Sequence, residues 1–345
     1  MTPFLSAREG VFALVDFPEL GSPLRFVQPD AILEAHTPDE VVPLLREVER
    51  VVGEGQWAVG FLAYEAAAAF FLPVVSVRDD FPLAWFAFFT NPTPFVYPPL
   101  DVATPLPTLT PLLTGERYRE DLARIAGWIA AGETYQVNYT LEACPEGDFD
   151  PFHLFLRLQC AHRFPRAMWI ETLAWRIASL SPETFLVRRG DRLLTAPIKG
   201  TRPRGGTPEE DLELGRLLET SEKERAEHVM IVDMARHDLG KIAGVGSVRV
   251  DGLMERRLFS TVQHLESRVE GCLRAGIGLV EIMAAMFPAA SITGAPKWRT
   301  MEIIRELERR PRGVYTGCMG VVRPGGSFWF NVAIRTLVWR GEGRL

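Results

Sequence analysis

Hydrophobic and polar positions in the first part of the chain follow a helical spacing and then two strand-like runs. Between residues 40 and 52 the apolar residues fall on one helix face, which predicts an amphipathic helix. Continuous apolar runs at 57–64 and 83–89 predict two buried strands, separated by a short helix that begins at Ala66. Prolines from Pro92 to Pro111 follow. Such a proline-rich connector is typical of a boundary between two regions of a chain.

The boundary predicts an N-terminal lobe with its connector at 1–112 and a second region at 113–345. In the second region, Tyr118, Leu122, Ile125 and Ile129 have the spacing of one helix face. Further along, the pattern predicts a polar strand (133–140), a hairpin (185–194), a loop (197–205), two helices (209–238), a strand (262–267), two more helices (279–286 and 298–308) and a final hairpin (315–336).

Composition narrows the class of protein. The chain has 345 residues, 47% of them hydrophobic, and a formal net charge of −6, which argues against binding nucleic acid across its surface. Its four cysteines form no CxxC pair, so neither a zinc site nor a disulfide framework is indicated. No signal segment is evident at the N-terminus, and no run of about 18 apolar residues would span a membrane. We therefore expect a soluble cytoplasmic protein that binds neither membrane nor nucleic acid.

The segment 197–205 carries the most distinctive candidate chemistry. Lys199 lies between Pro197 and Pro203, and Gly200 beside it would let a ligand approach the backbone closely. Two neighbouring arginines, Arg202 and Arg204, would favour an anionic ligand and lower the pKa of the lysine. A lysine of that kind can act as a nucleophile. The alternative is an exposed basic turn.

Other candidates each have a structural alternative. Glu224 and Glu227 lie on adjacent turns of a predicted helix and could hold a divalent cation, or could form a solvated face. His264 lies in a predicted strand, where a satisfied core histidine is the commoner outcome. The segment 291–297 could bind an anion at a helix start, or simply cap that helix. Arg335, within a mostly apolar predicted strand, needs a carboxylate or a ligand as its partner.

Together, the order and identity of these segments resemble the chorismate-utilising enzymes, a family that includes anthranilate, aminodeoxychorismate, isochorismate and salicylate synthases. The matching segments are 135–138, 181–183, 197–201, 224–239, 264–265, 291–297, 315–317 and 331–336. The resemblance implies an α+β fold of the anthranilate-synthase type. In that fold two antiparallel β-sheets pack face to face with helices outside, and the site lies between them.

Within this family, the resemblance implies aminodeoxychorismate synthase component I, because those enzymes carry a lysine where anthranilate synthases usually carry alanine, and here the residue is Lys199. The implied reaction converts chorismate and ammonia to 4-amino-4-deoxychorismate, for 4-aminobenzoate and folate synthesis. A glutaminase subunit would supply the ammonia and a separate lyase would process the product. The alternatives are anthranilate synthase component I and an inactive chorismate-binding subunit.

The same resemblance implies roles for individual residues. Lys199 would form an adduct with the substrate, and Glu183 would be the general acid. Glu227 would bind Mg²⁺ directly and Glu224 through water. The implied substrate-binding residues are Gly200, Thr201, His264, Thr293, Gly294, Tyr315 and Arg335.

The chain departs from the family at its C-terminus. Family members continue beyond the Arg335 strand with a glycine-rich turn and a final helix, whose glutamates supply the other Mg²⁺ ligands. This sequence ends at Leu345, where that turn would begin. We therefore expect a fold with a shortened C-terminal end. A truncated sequence, a replacement by another segment and an inactive protein are the three explanations left open.

Overall fold

The structure is a computed structural model that describes residues 4–5, 10–76, 81–99, 106–147 and 149–341. Most of the N-terminal stretch expected to lack a signal, Pro105 of the proline-rich connector and the last four residues lie outside that range. No helix among the described residues is both long and apolar enough to cross a lipid bilayer.

The chain folds into alternating groups of strands and helices. The helices are α1 Pro38–Gly53, α2 Gly115–Ala130, α3 Pro151–His162, α4 Pro208–Thr220, α5 Glu222–Gly240, α6 Leu279–Met286 and α7 Lys297–Glu308, with 3₁₀ turns at Pro18–Leu20, Tyr64–Phe70 and Ala290–Ile292. The strands are β1 Phe4–Leu5, β2 Phe12–Asp16, β3 Leu24–Val27, β4 Ala31–Ala35, β5 Trp57–Leu62, β6 Ala84–Phe89, β7 Thr93–Pro94, β8 Thr108–Pro111, β9 Gln136–Val137, β10 Ala143–Glu146, β11 Arg166–Glu171, β12 Trp175–Ser181, β13 Thr184–Arg189, β14 Arg192–Ala196, β15 Ile198–Pro203, β16 Arg249–Leu258, β17 Val262–Cys272, β18 Gly294–Ala295, β19 Cys318–Val322, β20 Phe328–Val332 and β21 Thr336–Arg340.

Two large antiparallel sheets organise the fold. One has eleven strands in the order β1-β4-β6-β5-β19-β20-β13-β14-β17-β15, with β16 also paired to β17. The other has six strands in the order β21-β12-β11-β2-β3-β7. In each sheet the strands from before residue 112 form one half and those from after it form the other. The two predicted regions are joined by the ladder between β5 and β19 in the larger sheet and by the ladder between β2 and β11 in the smaller one. The boundary at residue 112 itself stays a prediction.

Three apolar layers hold the sheets and helices together. Side chains of both sheets meet in one cluster that includes Phe61 and Trp85 from the larger sheet and Met168 and Ile170 from the smaller. Helices α1, α5 and α6 cover the other face of the larger sheet, and α3 covers the other face of the smaller one. The predicted arrangement of two face-to-face sheets with helices outside is therefore confirmed.

Helix α1 shows how the sequence pattern determines one of these layers. Its predicted apolar stripe, Val41, Leu44, Leu45, Val48 and Val52, is buried throughout. The helix begins with a capping box between Thr37 and Glu40, which satisfies backbone N–H groups of the first turn. By contrast, only Ile125 of the corresponding stripe on α2 is buried, while Tyr118, Leu122 and Ile129 are exposed. The helix that this spacing predicts is therefore present as α2, but most of its apolar stripe lies at the surface.

Two glycines allow the centre of the larger sheet to pack. Gly60 on β5 and Gly320 on β19 face each other, and the rings of Phe86 and Phe330 lie over them. A Cβ atom on Gly320 would lie 2.2 Å from the carbonyl oxygen of Trp329 and 2.5 Å from the Phe330 ring. No side chain fits there without displacing backbone.

We predict that Gly320→Ala lowers the free energy of unfolding by about 1–3 kcal/mol, because the added methyl overpacks the sheet. Urea denaturation measures the change. Gly53→Ala is the control, since a Cβ atom there meets nothing within 4 Å. Equal stability of the two variants would contradict the close approach at Gly320.

Three local predictions are wrong. Residues 197–205 do not form a loop after a strand, because most of them form β15, which pairs with β17. The predicted polar strand 133–140 is reduced to the two residues of β9, which pair with β18. Arg335 is not inside a strand: β20 ends at Val332, and Arg335 has φ 51° in the connection to β21. It is exposed, so it lacks the buried setting expected of it.

Candidate active site

Strand β15 carries Lys199 on the edge of the larger sheet, where α5 crosses it. The lysine side chain is half-buried. Burial lowers its pKa, and the carboxylates of Glu183, Glu227 and Glu224 act in the opposite direction. The pKa of Lys199 is therefore lowered, as predicted, but burial lowers it and the neighbouring arginines do not. Arg204 is instead paired with Asp211 by two hydrogen bonds of 2.7 and 2.8 Å.

Glu183 lies between β12 and β13 and is buried, with 4% of its surface exposed. Its Oε1 atom accepts a hydrogen bond of 2.5 Å from the Ser291 hydroxyl and a longer one of 3.4 Å from the backbone N–H of Ile198. Burial raises the pKa of Glu183 to about 7, and the charge of Lys199 opposes that rise. Near neutral pH the carboxyl group can therefore give and take a proton, which a general acid requires.

Glu224 and Glu227 lie one turn apart near the start of α5. A Cβ atom on Gly200 would lie 3.3 Å from Oε2 of Glu224, and Gly200 has φ 84°, so a glycine there allows the helix to approach the strand. Glu227 is partly exposed, with Lys223 3.8 Å from its carboxylate.

These two carboxylates fit a site for Mg²⁺, which in proteins is usually bound by one or two carboxylates and keeps several waters. Among the residues that the structure describes, no group of three or more histidine, cysteine, aspartate or glutamate side chains could hold a metal ion. Binding of Mg²⁺ by Glu224 and Glu227 therefore stays a prediction.

His264 lies on β17 beside the bulge of β15. Its Nδ1 atom is 2.8 Å from the Thr201 hydroxyl and 3.4 Å from the carbonyl oxygen of Gly200. Its Nε2 atom is buried and has no hydrogen-bond partner in the described structure. An unpaired buried polar atom is costly, so this nitrogen is a suitable point for a ligand to bind.

Thr293 and Gly294 follow Ser291 along the chain and are engaged in local structure. The Thr293 hydroxyl donates to the carbonyl oxygens of Ala289 and Ala290 at 3.1 and 3.3 Å. Gly294 has φ 144°, and a Cβ atom there would lie 2.0 Å from the carbonyl oxygen of Gln136. The need for glycine at this position thus comes from the pairing of β18 with β9.

Tyr315 and Arg335 lie in two strained connections that meet. Thr316, next to Tyr315, has φ 63°, and its N–H donates to the carbonyl oxygen of Ala333 at 2.8 Å. Arg335 has no carboxylate within 4.0 Å among the described residues, and its guanidinium lies 5.3 Å from the centre of the Phe164 ring. Backbone strain of this kind occurs often at functional sites.

Arg312 holds several of these segments together and was not found from the sequence. Its buried guanidinium donates to Glu308 at 2.7 and 2.9 Å, to the carbonyl oxygens of Ile292 and Asn138 at 3.0 and 2.7 Å, and to the Thr316 hydroxyl at 3.3 Å. It therefore connects the backbone beside Thr293 to the side chain of Thr316, the residue after Tyr315. Ser291 and His228 were also missed as partners of Glu183 and Lys199, although both lie inside the matching segments.

Comparison with known proteins identifies the family. A family model described as chorismate binding enzyme matches residues 97–345 of the chain. The chain belongs to this family. The family resemblance predicted from the motifs is therefore confirmed.

Two relatives with similar identities carry different names. Aminodeoxychorismate synthase component 1 of Bacillus subtilis (strain 168) is 41% identical over 228 residues, which are 66% of this chain and 48% of that protein. Anthranilate synthase component 1 1 of Haloarcula marismortui is 43% identical over 229 residues, 66% of this chain and 47% of that protein. The chain thus spans about half the length of these two relatives.

Solved structures share the fold at low sequence identity. Anthranilate synthase component I from Streptococcus pneumoniae TIGR4 superposes with a TM-score of 0.75 at 23% identity, covering 98% of this chain and 86% of that one. The menaquinone-specific isochorismate synthase from Escherichia coli gives a TM-score of 0.64 at 15% identity, covering 97% and 81%. The predicted anthranilate-synthase-type fold is confirmed.

Proposed function

We propose that this chain is component I of aminodeoxychorismate synthase, which converts chorismate and ammonia to 4-amino-4-deoxychorismate. The observation that carries the proposal is the half-buried Lys199 beside Glu183. Burial lowers the pKa of the lysine, and its charge interacts with the carboxyl group of Glu183. A lysine with a lowered pKa is available as a nucleophile near neutral pH.

In the proposed reaction the Nζ atom of Lys199 forms a bond to C2 of chorismate while the bond between C4 and its hydroxyl breaks. Glu183 gives its proton to the departing hydroxyl, which leaves as water, and the amine loses a proton as it becomes bonded. Ammonia then adds at C4 and the bond between C2 and Lys199 breaks. The proton that the adding nitrogen loses passes to the departing lysine nitrogen, which restores the free amine. Tyr315 and Arg335 hold a substrate carboxylate, and Thr201, His264, Thr293 and the backbone at Gly200 and Gly294 complete the pocket.

The proposal includes Mg²⁺ held directly by Glu227 and through water by Glu224. Bound there, the ion would anchor the ring carboxylate and balance its charge. The lysine and the two glutamates come from adjacent elements, β15 and α5, so the amine and the proposed ion would face the same substrate.

We predict that a chelator abolishes product formation and that added Mg²⁺ restores it. Glu227→Gln should raise the Mg²⁺ concentration for half-maximal activity at least ~10-fold, because a ligand carboxylate is lost. Glu222→Gln, an exposed position on the same helix, is the control. Full activity of the chelated protein would contradict the metal site.

The experiment that tests the function is product analysis. Purified protein is incubated with chorismate, Mg²⁺ and an ammonium salt, and aminodeoxychorismate is resolved from anthranilate by chromatography and mass. We expect aminodeoxychorismate. Anthranilate would instead establish the second candidate, anthranilate synthase component I, which the relative from Haloarcula marismortui favours. Binding of chorismate without turnover would support the inactive subunit.

The proposed partners follow from the reaction. A glutaminase subunit would deliver ammonia, consistent with the name component 1 of the relative from Bacillus subtilis. A separate aminodeoxychorismate lyase would form 4-aminobenzoate from the product, for folate synthesis. Stimulation of glutamine-dependent turnover by a glutaminase subunit would test the first of these partners.

A further inference from the structure

Strand β15 is irregular at the residue that follows Lys199. Its pairing with β17 matches Lys199 to Leu265 and then Thr201 to His264, so Gly200 has no partner and forms a bulge. A bulge bends the strand and redirects neighbouring side chains, and bulges are common beside active sites. The direction of the Lys199 side chain therefore depends on what holds this bulge.

His228 of α5 supplies a hydrogen bond at that point. The imidazole is buried, with Nδ1 3.3 Å from the carbonyl oxygen of Lys199 and Nε2 2.6 Å from the Ser267 hydroxyl. A carbonyl oxygen can only accept, so Nδ1 carries the proton and Nε2 accepts from the Ser267 hydroxyl. The tautomer is thus determined by its two partners.

Ser267 is itself fixed on both sides. Its hydroxyl oxygen accepts the N–H of Met254 at 2.8 Å, and its own N–H donates to the carbonyl oxygen of Pro197 at 3.2 Å. The chain of bonds from Met254 through Ser267 and His228 to Lys199 therefore spans β16, β17, α5 and β15. Both ends of the imidazole are anchored, so the ring cannot turn without breaking a buried bond.

The same helix carries the two carboxylates that face Lys199. Glu224 lies against Gly200, one residue beyond the carbonyl that His228 holds. The bond from His228 thus fixes α5 to the bulge, and with it the spacing between the amine and the carboxylates.

We propose that His228 is a positioning residue for Lys199: its Nδ1–H holds the Lys199 carbonyl in the bulge and so directs the amine toward the site. The inference rests on the proposed function for its kinetic consequence, but its structural consequence can be measured separately.

Two substitutions at His228 separate this role from simple core packing. The amide nitrogen of asparagine can take the place of Nδ1, whereas the longer glutamine presents its amide toward Ser267. We expect His228→Gln to lower kcat by about 10- to 100-fold with little change in the KM for chorismate, because a misdirected group affects the chemical step. We expect His228→Asn to keep kcat within about threefold of the unmodified protein.

Amide hydrogen exchange supplies the second readout. The peptide containing residues 198–203 should exchange faster in His228→Gln than in His228→Asn, while the peptide containing β5 should exchange equally in both. If His228→Gln does not fold, Ser267→Ala, which removes the donor to Nε2, replaces it and should change kcat and exchange in the same direction.

The outcomes separate the two proposals. Equal kcat in the Gln and Asn variants, or equal exchange of the 198–203 peptide, would overturn the positioning role. If the unmodified protein forms no aminodeoxychorismate, the proposed function fails, and the exchange comparison still decides whether His228 holds the bulge.

Discussion

Lys199→Ala is expected to lower the rate of aminodeoxychorismate formation at least ~10³-fold, since the proposed nucleophile is removed. Burial lowers the pKa of this amine, and the nearby Glu183, whose pKa burial raises, can supply a proton. Without it, ammonia would have to displace the C4 hydroxyl in a single step. The initial rate of product formation, measured by chromatography at saturating chorismate, gives the comparison.

Two further variants show whether catalysis needs the positive charge of Lys199 or its ability to bond covalently to the substrate. Lys199→Arg keeps a positive charge but provides no amine that can attack at neutral pH, so it should be as inactive as the alanine variant. Lys223→Ala removes a lysine that is 79% exposed and lies 3.8 Å from Glu227, and it should keep most of the activity. An active Lys199→Arg protein would mean that the lysine only balances charge.

Glu183→Gln is expected to lower kcat by about 10²–10⁴-fold, because glutamine cannot protonate the departing hydroxyl. Burial raises the pKa of Glu183 to about 7. At more acidic pH kcat falls because the Lys199 amine must be uncharged to attack. Above pH 7 the acid form of Glu183 is lost, so kcat should show a break there and fall about tenfold per pH unit. The slow activity left in the Gln variant should lack this break. A break that persists in Glu183→Gln would assign it to another group.

The same pKa has a consequence for stability. The folded-state pKa of Glu183 lies above the ordinary value of 4.5, so its neutral form favours the folded protein at low pH, and this contribution is lost as the pH rises through about 7. Glu65, buried against the backbone N–H groups of Arg312 and Gly313, also has a pKa raised by burial to about 7 and adds to the trend. The free energy of unfolding, measured with urea, should fall less between pH 5 and pH 8 in Glu183→Gln than in the unmodified protein.

Elements with strong local signals could be predicted from the sequence. Helix α6 has the bounds that its apolar spacing predicts, and the predicted hairpin at 185–194 is present as β13 and β14, which turn at Gly190. The family motifs also led to Lys199 and Glu183. These signals are local because helix periodicity and turn residues act within a few positions.

The failures come from contacts between distant parts of the chain. Residues 198–203 look like a loop because of their prolines and glycines, yet β17, some 60 positions later, pairs with them as a strand. Arg335 looks like part of an apolar strand, but its φ of 51° bends the chain between β20 and β21, where its carbonyl oxygen accepts from the N–H of Leu180. Arg312 and His228 carry no sequence signal of their own role, because their partners come from several separate elements.

The measurement that tests the nucleophile most directly is the mass of the peptide containing Lys199 after incubation with chorismate and Mg²⁺ in the absence of ammonia. We predict a gain equal to chorismate less one water on Lys199, and its loss when an ammonium salt is added. Aminodeoxychorismate formation at the normal rate with no such adduct, or with the adduct on another residue, would contradict the proposed role of Lys199.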